Sequence, residues 1–283
     1  MPHATDSVDL FVSVHGEGPP LVVMHGGLGL DHTYLRPWLD RLGEVVTLVY
    51  YDHRGHGRSP APDDWDAVTH ATWVADADAL RECLGYKQWF VFGHSYGGFL
   101  ALEYALAYPD RIAGVVLCCT SAAFDHGEAA FARAERRATP EQLAVLAGAF
   151  SAPLPNDGAM REGFSAVLPV YLCDPDPSTC EALKAGVRFS ADGFNRAFFG
   201  CLSDYDVRGR LSEIDAPVLV LSGRHDWLFA PEDGGDVLAA GLPHTEHVVF
   251  EHSGHYPFVE EPEPFVHAVT TWLESHERAF PSA

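Results

Sequence analysis

Apolar residues recur along the chain in short runs that are rich in valine, isoleucine and aromatic residues. Seven runs stand out: LFVSV (10–14), PLVVMHG (20–26), VVTLVYYD (45–52), WFVFGH (89–94), IAGVVLCC (112–119), APVLVLSG (216–223) and HVVFEHSG (247–254). They show little alternation of apolar and polar positions, which is typical of strands buried on both faces of a parallel sheet. The pattern therefore predicts a mostly parallel sheet.

Segments with helical spacing lie between these runs. Residues 67–84 carry Val74, Ala77 and Leu80 on one side and charged residues on the other sides. Residues 96–108 and 262–276 are two further predicted helices. Strands that alternate with helices indicate an α/β fold with a doubly wound sheet.

The alternation stops between residues 120 and 211, where no strong strand pattern occurs. One helix is predicted to begin at TPEQ (139–142), a capping box with proline at the first helical position. Segments rich in proline and aspartate, 152–158 and 173–178, separate the helical stretches. We expect residues 1–119 and 212–283 to form the core and residues 120–211 to form an inserted helical cap.

Length and charge narrow the possible partners. A chain of 283 residues suits one large α/β domain with an insertion. Its net charge of −22 argues against nucleic acid and against anionic membrane surfaces. The N-terminal sequence MPHATDSVDLFVSV lacks the basic start and apolar run of a signal peptide, and no apolar run is long enough to span a bilayer. These features favour a cytoplasmic protein acting on a small molecule; they leave its oligomeric state open.

The six cysteines indicate neither a metal site nor a disulfide framework. None forms a C-x-x-C pair, and no histidine spacing beside them resembles a zinc site. Cys173 and Cys180 are close enough in sequence to form a disulfide, but free thiols are the default in a reducing cytoplasm. The cysteine pattern therefore predicts no metal site.

The segment GHSYG (93–97) fits the pattern G-x-S-x-G between a predicted strand and a predicted helix. In that context the serine lies on a tight strand-to-helix turn, a nucleophile elbow, which small neighbouring residues permit. Ser95 would then be exposed above the sheet, at a helix N-terminus that favours developing negative charge. A glycine-rich turn that only packs helix on strand is the alternative.

A serine nucleophile needs a histidine base and a carboxylate that orients the base. On this type of sheet the three follow the order serine, acid, histidine. Asp226, in SGRHD, follows one predicted strand, and His255, in SGHYP, follows the last. Both come at strand carboxyl ends, where the sites of open α/β sheets lie. The less well placed competitors are Asp204, Asp206, Asp215, His225 and His252.

The segment MHGGLG (24–29) follows a predicted strand, so its backbone N–H groups would face the same edge of the sheet. We expect the N–H groups of Gly27 and Tyr96 to form an oxyanion hole for a tetrahedral intermediate. A glycine-rich turn without this function is the alternative.

Along most of its length the chain resembles the α/β-hydrolase superfamily, and within it the proline iminopeptidase branch. The matching segments are HGGLG (25–29), YDHRGHGRS (51–59), GHSYGG (93–98), AYPDRIAGVVL (107–117), SGRHD (222–226) and SGH (253–255). The resemblance implies the α/β-hydrolase fold with a helical cap, and hydrolysis of an acyl bond through an acyl-enzyme without metal or organic cofactor. It also implies the triad Ser95, Asp226 and His255.

Two features depart from the proline iminopeptidase pattern. Leu28 replaces the proline of the usual HGGPG loop. Those peptidases hold the free ammonium of the substrate with glutamates, yet Asn195 stands where the cap glutamate would be. As part of the same departure, Trp227 stands where some members have a second acid. A desolvated ammonium needs a nearby anion, so these changes put the peptidase specificity in doubt.

The remaining predicted site residues are mostly apolar: Leu28, Phe194, Phe198, Phe199, Trp227, Leu228 and Tyr256, with Asn195 as the polar member. Ordinary packing of the cap is the alternative for the phenylalanines. If they face the site, the substrate should be hydrophobic and uncharged. We therefore expect a hydrolase of small esters or lactones, with possible amide activity. Release of N-terminal proline is the alternative function, and a non-catalytic ligand receptor on the same fold is a third.

Overall fold

The computed structural model describes residues 9–277, so residues 1–8 of the N-terminal segment discussed above and residues 278–283 lie outside the described part. Seven strands form one sheet: Val12–His15 (β1), Pro20–Met24 (β2), Thr47–Tyr51 (β3), Trp89–His94 (β4), Ile112–Cys118 (β5), Val218–Gly223 (β6) and Thr245–Phe250 (β7). Their order in the sheet is β1-β3-β2-β4-β5-β6-β7. All seven predicted strands are confirmed. β1 pairs with β3 antiparallel, and the other pairings are parallel.

Ten α-helices are described: His70–Cys83 (α1), Tyr96–Ala107 (α2), Gly127–Ala134 (α3), Pro140–Ser151 (α4), Asp157–Tyr171 (α5), Pro177–Lys184 (α6), Ala191–Asn195 (α7), Gly235–Gly241 (α8), Pro257–Glu260 (α9) and Pro262–His276 (α10). α1 begins three residues later than its pattern predicts because Thr69 caps it and accepts from the N–H of Thr72. A π-helical stretch, Arg196–Cys201, follows α7.

Alternate residues of each central strand pack on opposite faces of the sheet. Val22 and Val91 contribute to a core with α1, α2 and α8. Leu21 and Phe90 contribute to a second core with α10. Central strands are therefore apolar at most positions, apart from the polar residues near their carboxyl ends, and this is why their sequences do not alternate.

Helices α3–α7 and the π-helical stretch lie between β5 and β6. The predicted capping box is confirmed: Thr139 accepts from the N–H of Gln142 at 3.3 Å, and the Gln142 side chain accepts from the N–H of Thr139 at 2.9 Å. An isolated antiparallel bridge joins Ala123 to Asp206, so the two ends of this insertion lie side by side. The boundaries 120–211 stay a prediction.

The six cysteines, Cys83, Cys118, Cys119, Cys173, Cys180 and Cys201, are free thiols, so Cys173 and Cys180 are not bridged. Within residues 9–277, no helix combines the length and apolar character needed to cross a membrane.

Candidate active site

Ser95 lies on a sharp turn between β4 and α2. Its φ of 56° and ψ of −122° are unusual for a residue with a Cβ, and such strain persists only where the surroundings impose it. The Ser95 N–H donates to the Cys118 carbonyl at 2.9 Å, and its own carbonyl accepts from the Gly98 N–H at 2.9 Å. A Cβ at Gly97 would lie 2.0 Å from the Met24 carbonyl oxygen, so only glycine lets α2 begin this close to β2.

Asp226 and His255 come from two loops that pack tightly together. Asp226 follows β6 by three residues, and His255 follows β7 by five. A Cβ at Gly223 would lie 1.8 Å from the carbonyl oxygen of Gly254, so a side chain there would push the loops apart. The N–H of His225 donates to the Ser253 carbonyl at 2.9 Å and joins the two loops directly.

The acid and the histidine form a buried hydrogen-bonded pair. Nδ1 of His255 lies 2.7 Å from Oδ2 of Asp226, and the two residues are 3% and 1% exposed. Oδ1 of Asp226 accepts from the N–H groups of Leu228 at 2.9 Å and Phe229 at 3.2 Å. The carboxylate therefore has three donors, which offset the cost of burying its charge. With the imidazole proton on Nδ1, Nε2 is left to accept a proton from Ser95.

The competing acids and histidines are placed differently. Asp204, Asp206, Asp215, His225 and His252 are all exposed. Asp206 pairs with Arg208, and Asp215 lies 3.3 Å from His244. Neither arrangement resembles the buried pair of Asp226 and His255.

The segment that carries Gly27 is held in place by two buried histidines. The N–H of His53 donates to Nε2 of His25 at 3.1 Å, and Nε2–H of His53 donates to the His25 carbonyl at 3.0 Å. Burial holds the pKa of both imidazoles well below the usual range, so they stay neutral. Gly27 and Tyr96 line the same cavity as Ser95. As the first residue of α2, Tyr96 has an N–H without an intrahelical acceptor.

A chain of hydrogen bonds links the Gly27 segment to the histidine loop. The Gly26 N–H donates to the Tyr34 hydroxyl at 2.8 Å, and that hydroxyl donates to Nδ1 of His94 at 2.7 Å. Nε2–H of His94 donates to the carbonyl of His255 at 2.9 Å. Because a carbonyl can only accept, this chain fixes the His94 tautomer. Burial, together with the nearby His255, keeps the pKa of His94 well below its usual range.

A thiol lies beside the acid–histidine pair. Among residues 9–277, one grouping of potential metal ligands occurs, formed by Cys119, Asp226 and His255 with ligand atoms within 4.8 Å of one another. Burial raises the pKa of the Cys119 thiol, so it stays protonated. The Asp226 and His255 atoms already bond to each other, so this grouping is the acid–histidine pair with a neutral thiol against it.

Ser95 and His255 open onto a cavity of about 610 Å³. Five of the predicted substrate-binding residues line it, namely Leu28, Phe194, Phe198, Leu228 and Tyr256. Five further residues that no sequence pattern indicated line it too: Phe124, Phe150, Met160, Phe164 and Tyr171. The size and apolar walls are typical of pockets that bury small-molecule ligands.

A family model for the alpha/beta hydrolase fold matches residues 19–262 of this chain. The chain belongs to the α/β-hydrolase family. It is 32% identical over 275 residues to a proline iminopeptidase of Levilactobacillus brevis, covering 91% of this chain and 89% of that protein.

Two solved structures extend the comparison. A thermophilic esterase from Thermogutta terrifontis superposes with a TM-score of 0.75 at 26% identity, covering 95% of this chain and 94% of that chain. The proline iminopeptidase of Mycobacterium smegmatis gives a TM-score of 0.75 at 25% identity, covering 95% and 96%. The fold of this α/β-hydrolase therefore occurs both with esterase and with peptidase activity.

Three predicted substrate-binding residues of this α/β-hydrolase do not line the cavity. The Asn195 side chain accepts from the Leu154 N–H at 2.7 Å and donates to the Leu154 carbonyl at 2.9 Å, so it ties two parts of the insertion together. Phe199 is 38% exposed and packs edge-on against Phe198. Trp227 is 1% exposed and packs in a small core with residues of α3, α4 and α5.

Glu260 connects the histidine loop of this α/β-hydrolase to the end of α5. Its Oε2 accepts from the Gly254 N–H at 2.7 Å, and its Oε1 accepts from the N–H groups of Cys173 at 2.6 Å and Asp174 at 3.3 Å. The N–H of His255 donates to the Tyr171 carbonyl at 2.7 Å beside it. The Glu260 carboxylate thus fixes the position of the loop that carries His255 relative to the insertion.

Glu260→Gln should lower kcat by on the order of tenfold to a hundredfold, because an amide offers one accepting oxygen where the carboxylate offers two, and small displacements of a base are costly. Burial raises the pKa of Glu260. The folded state then binds its proton more tightly than the unfolded state, so this group's contribution to stability falls as pH rises from 4.5 through the raised pKa. The stability difference between wild type and Glu260→Gln should therefore shrink as pH rises over that range.

Steady-state kinetics and denaturant unfolding at several pH values measure both effects. The matched control is Glu263→Gln, because Glu263 is only three residues further along the chain but forms a surface pair with Arg41. We expect that control to stay within about twofold of wild type, as exposed pairs contribute little. Equal kcat for the two variants would contradict a positioning role for Glu260.

Sequence reasoning missed Tyr34, His94, Glu260 and Tyr171 as supports of the site. His94 is adjacent to Ser95, and Glu260 follows His255 by five residues, but no sequence pattern indicates a role for either residue. Their partners lie far along the chain: Tyr34 and His94 are 60 residues apart, and Glu260 and Cys173 are 87 apart. Local patterns carry no signal for such contacts.

Proposed function

We propose that this protein is a serine hydrolase that cleaves small, mostly hydrophobic carboxylic esters or lactones through an acyl-enzyme. The observation that carries the proposal is the position of Ser95. It stands on a strained elbow and shares an apolar cavity with His255, which is bonded to buried Asp226. This combination is what nucleophilic acyl transfer requires.

In the proposed mechanism Oγ of Ser95 attacks the carbonyl carbon while Nε2 of His255 takes its proton. The carbonyl oxygen becomes an oxyanion, to which the N–H groups of Gly27 and Tyr96 donate. Collapse breaks the bond to the leaving group, which receives the proton from His255. Water then attacks the acyl-enzyme by the same route and restores Ser95. Asp226 holds the imidazole in the tautomer that these steps need.

The alternative function is release of N-terminal proline, which the 32% identity to a proline iminopeptidase favours. A carboxylate would then have to hold the ammonium of the substrate. Glu162 of α5 lines the cavity, but it is exposed where the cavity meets solvent, whereas the ammonium of an N-terminal proline lies one carbon from the carbonyl that Ser95 would attack. Asn195, which stands where those peptidases have a cap glutamate, is uncharged, and its side chain is hydrogen-bonded to the Leu154 backbone. These features favour hydrolysis of an ester or lactone over release of N-terminal proline.

The two functions are separated by assaying a short-chain p-nitrophenyl ester, a simple lactone and an unblocked prolyl p-nitroanilide side by side. Ser95→Ala protein serves as the blank. We expect turnover of the ester or lactone and at least about a hundredfold lower kcat/KM on the anilide, because an unpaired buried ammonium is costly. A faster anilide would establish the peptidase function instead. Tight binding of these compounds without product release would favour a non-catalytic receptor.

A further inference from the structure

The cavity beside Ser95 continues to the surface between α4 and α5. Its walls there include Ala144 and Gly148 of α4 and Glu162 and Ala166 of α5, all of which are exposed. The same cavity is lined by Ser95 at the sheet edge. A continuous space therefore runs from the proposed nucleophile, through the inserted helices, to solvent.

The middle of this space is apolar. Phe194 and Phe198 stack with their ring centroids 5.7 Å apart, and Phe150 stacks on Phe198 at 5.2 Å. Met160 lines the cavity as well and is 5% exposed. Walls of this kind favour a group that can be desolvated without losing hydrogen bonds, which is a hydrocarbon chain.

Two glycines, Gly148 and Gly163, line the part of the cavity that α4 and α5 form. A Cβ at Gly148 would meet no atom within 4 Å, and a Cβ at Gly163 would lie 3.5 Å from Cγ1 of Val145. Val145 and Gly163 both line the cavity. A Cβ at either glycine therefore meets no backbone atom, and because both positions line the cavity we expect larger side chains there to narrow it.

The charge at the outer end argues against an anionic chain. Glu162 stands where the cavity reaches solvent, and the protein carries a net charge of −22. A carboxylate at the end of a bound chain would be repelled there. A neutral chain has no such cost.

We propose that the site takes esters that carry an unbranched, uncharged alkyl chain, and that this chain runs from Ser95 through the cavity and leaves between α4 and α5. A helix with its side chains is about 10–12 Å across, so crossing that layer needs roughly eight to ten carbons. The proposal rests on the serine hydrolase function and names its substrate class. The chain belongs to either the acyl or the alcohol part of the ester.

The first test measures kcat/KM on two ester series below their micelle concentrations. One series is p-nitrophenyl acetate to dodecanoate, and the other is the acetates of ethanol to dodecanol. In one series we expect kcat/KM to rise about two- to fourfold per added methylene up to roughly eight to ten carbons, because each buried methylene adds affinity. The rising series identifies which part of the ester enters the space.

The second test narrows the space with Gly148→Leu and Gly163→Leu. Each should lower kcat/KM on the ten-carbon member of the rising series by at least about tenfold while changing the two-carbon member less than about twofold. Ala147→Leu is the matched control, since Ala147 is exposed on α4 away from the cavity, and both esters should be unaffected. The p-nitrophenyl monoester of nonanedioate should be at least about tenfold slower than nonanoate.

Flat profiles in both series, with short-chain turnover that depends on Ser95, would overturn the chain proposal alone. Equal losses on the two- and ten-carbon esters in both glycine variants would do the same. Equal rates on the nonanedioate monoester and on the nonanoate ester would overturn the part of the proposal that limits the chain to uncharged ones. If no ester in either series is turned over faster than by Ser95→Ala protein, the hydrolase function fails and the chain proposal falls with it.

Discussion

Ser95→Ala is expected to lower kcat on the best ester by on the order of 10⁴- to 10⁶-fold while leaving the fold intact. Serine and alanine both carry a Cβ, so the strained φ of 56° costs the variant no more than it costs the wild type. The backbone bonds of Ser95 to Cys118, Gly98 and Thr120 do not use Oγ. The loss should therefore come from the missing nucleophile alone.

Steady-state kinetics and thermal unfolding measure the two parts of this prediction. In wild-type protein, mixing with excess p-nitrophenyl ester should also release a burst of p-nitrophenol close to the enzyme concentration if deacylation is slow. The serine control is Ser212→Ala, an exposed position that should keep full activity. More than about one percent residual turnover in Ser95→Ala protein, corrected for background hydrolysis, would defeat the assignment.

The sheet could be predicted from the sequence because its strands are buried on both faces. Val91 packs into one core and its neighbour Phe90 into the other, so consecutive positions must both be apolar. Such a continuous apolar run is easy to recognise in the sequence. The predicted ends were less accurate. The last run, 247–254, extends four residues beyond the observed end of β7 at Phe250, because Glu251 to Gly254 form the loop that leads to His255.

The candidate triad could be found because each member follows a recognisable strand in a fixed order. The cavity walls could be predicted only in part, because sequence does not say where a side chain points. Asn195 faces the backbone of Leu154, and Trp227, next to Asp226 in sequence, is buried against the insertion. The walls from α4 and α5 depend on how those helices pack over the sheet, for which the sequence offers no local signal.

Asp226→Asn is expected to lower kcat by on the order of 10⁴-fold, through the tautomer of His255 rather than through misfolding. The N–H groups of Leu228 and Phe229 both donate to Oδ1 of Asp226. In the variant these two donors require the amide oxygen at that place, which turns the amide NH₂ toward Nδ1 of His255. Nδ1 must then accept, so the imidazole proton moves to Nε2, and Nε2 can no longer take a proton from Ser95.

The measurement is kcat together with thermal unfolding, which should change little because every buried hydrogen bond in the site still has a partner. Asp215→Asn is the matched control, since Asp215 also precedes the histidine in sequence but its side chain is exposed beside His244. That variant should stay within about twofold of wild type, as surface pairs contribute little. A large loss in Asp215→Asn protein with full activity in Asp226→Asn protein would mean that the buried pair, despite its 2.7 Å hydrogen bond, does not orient the base.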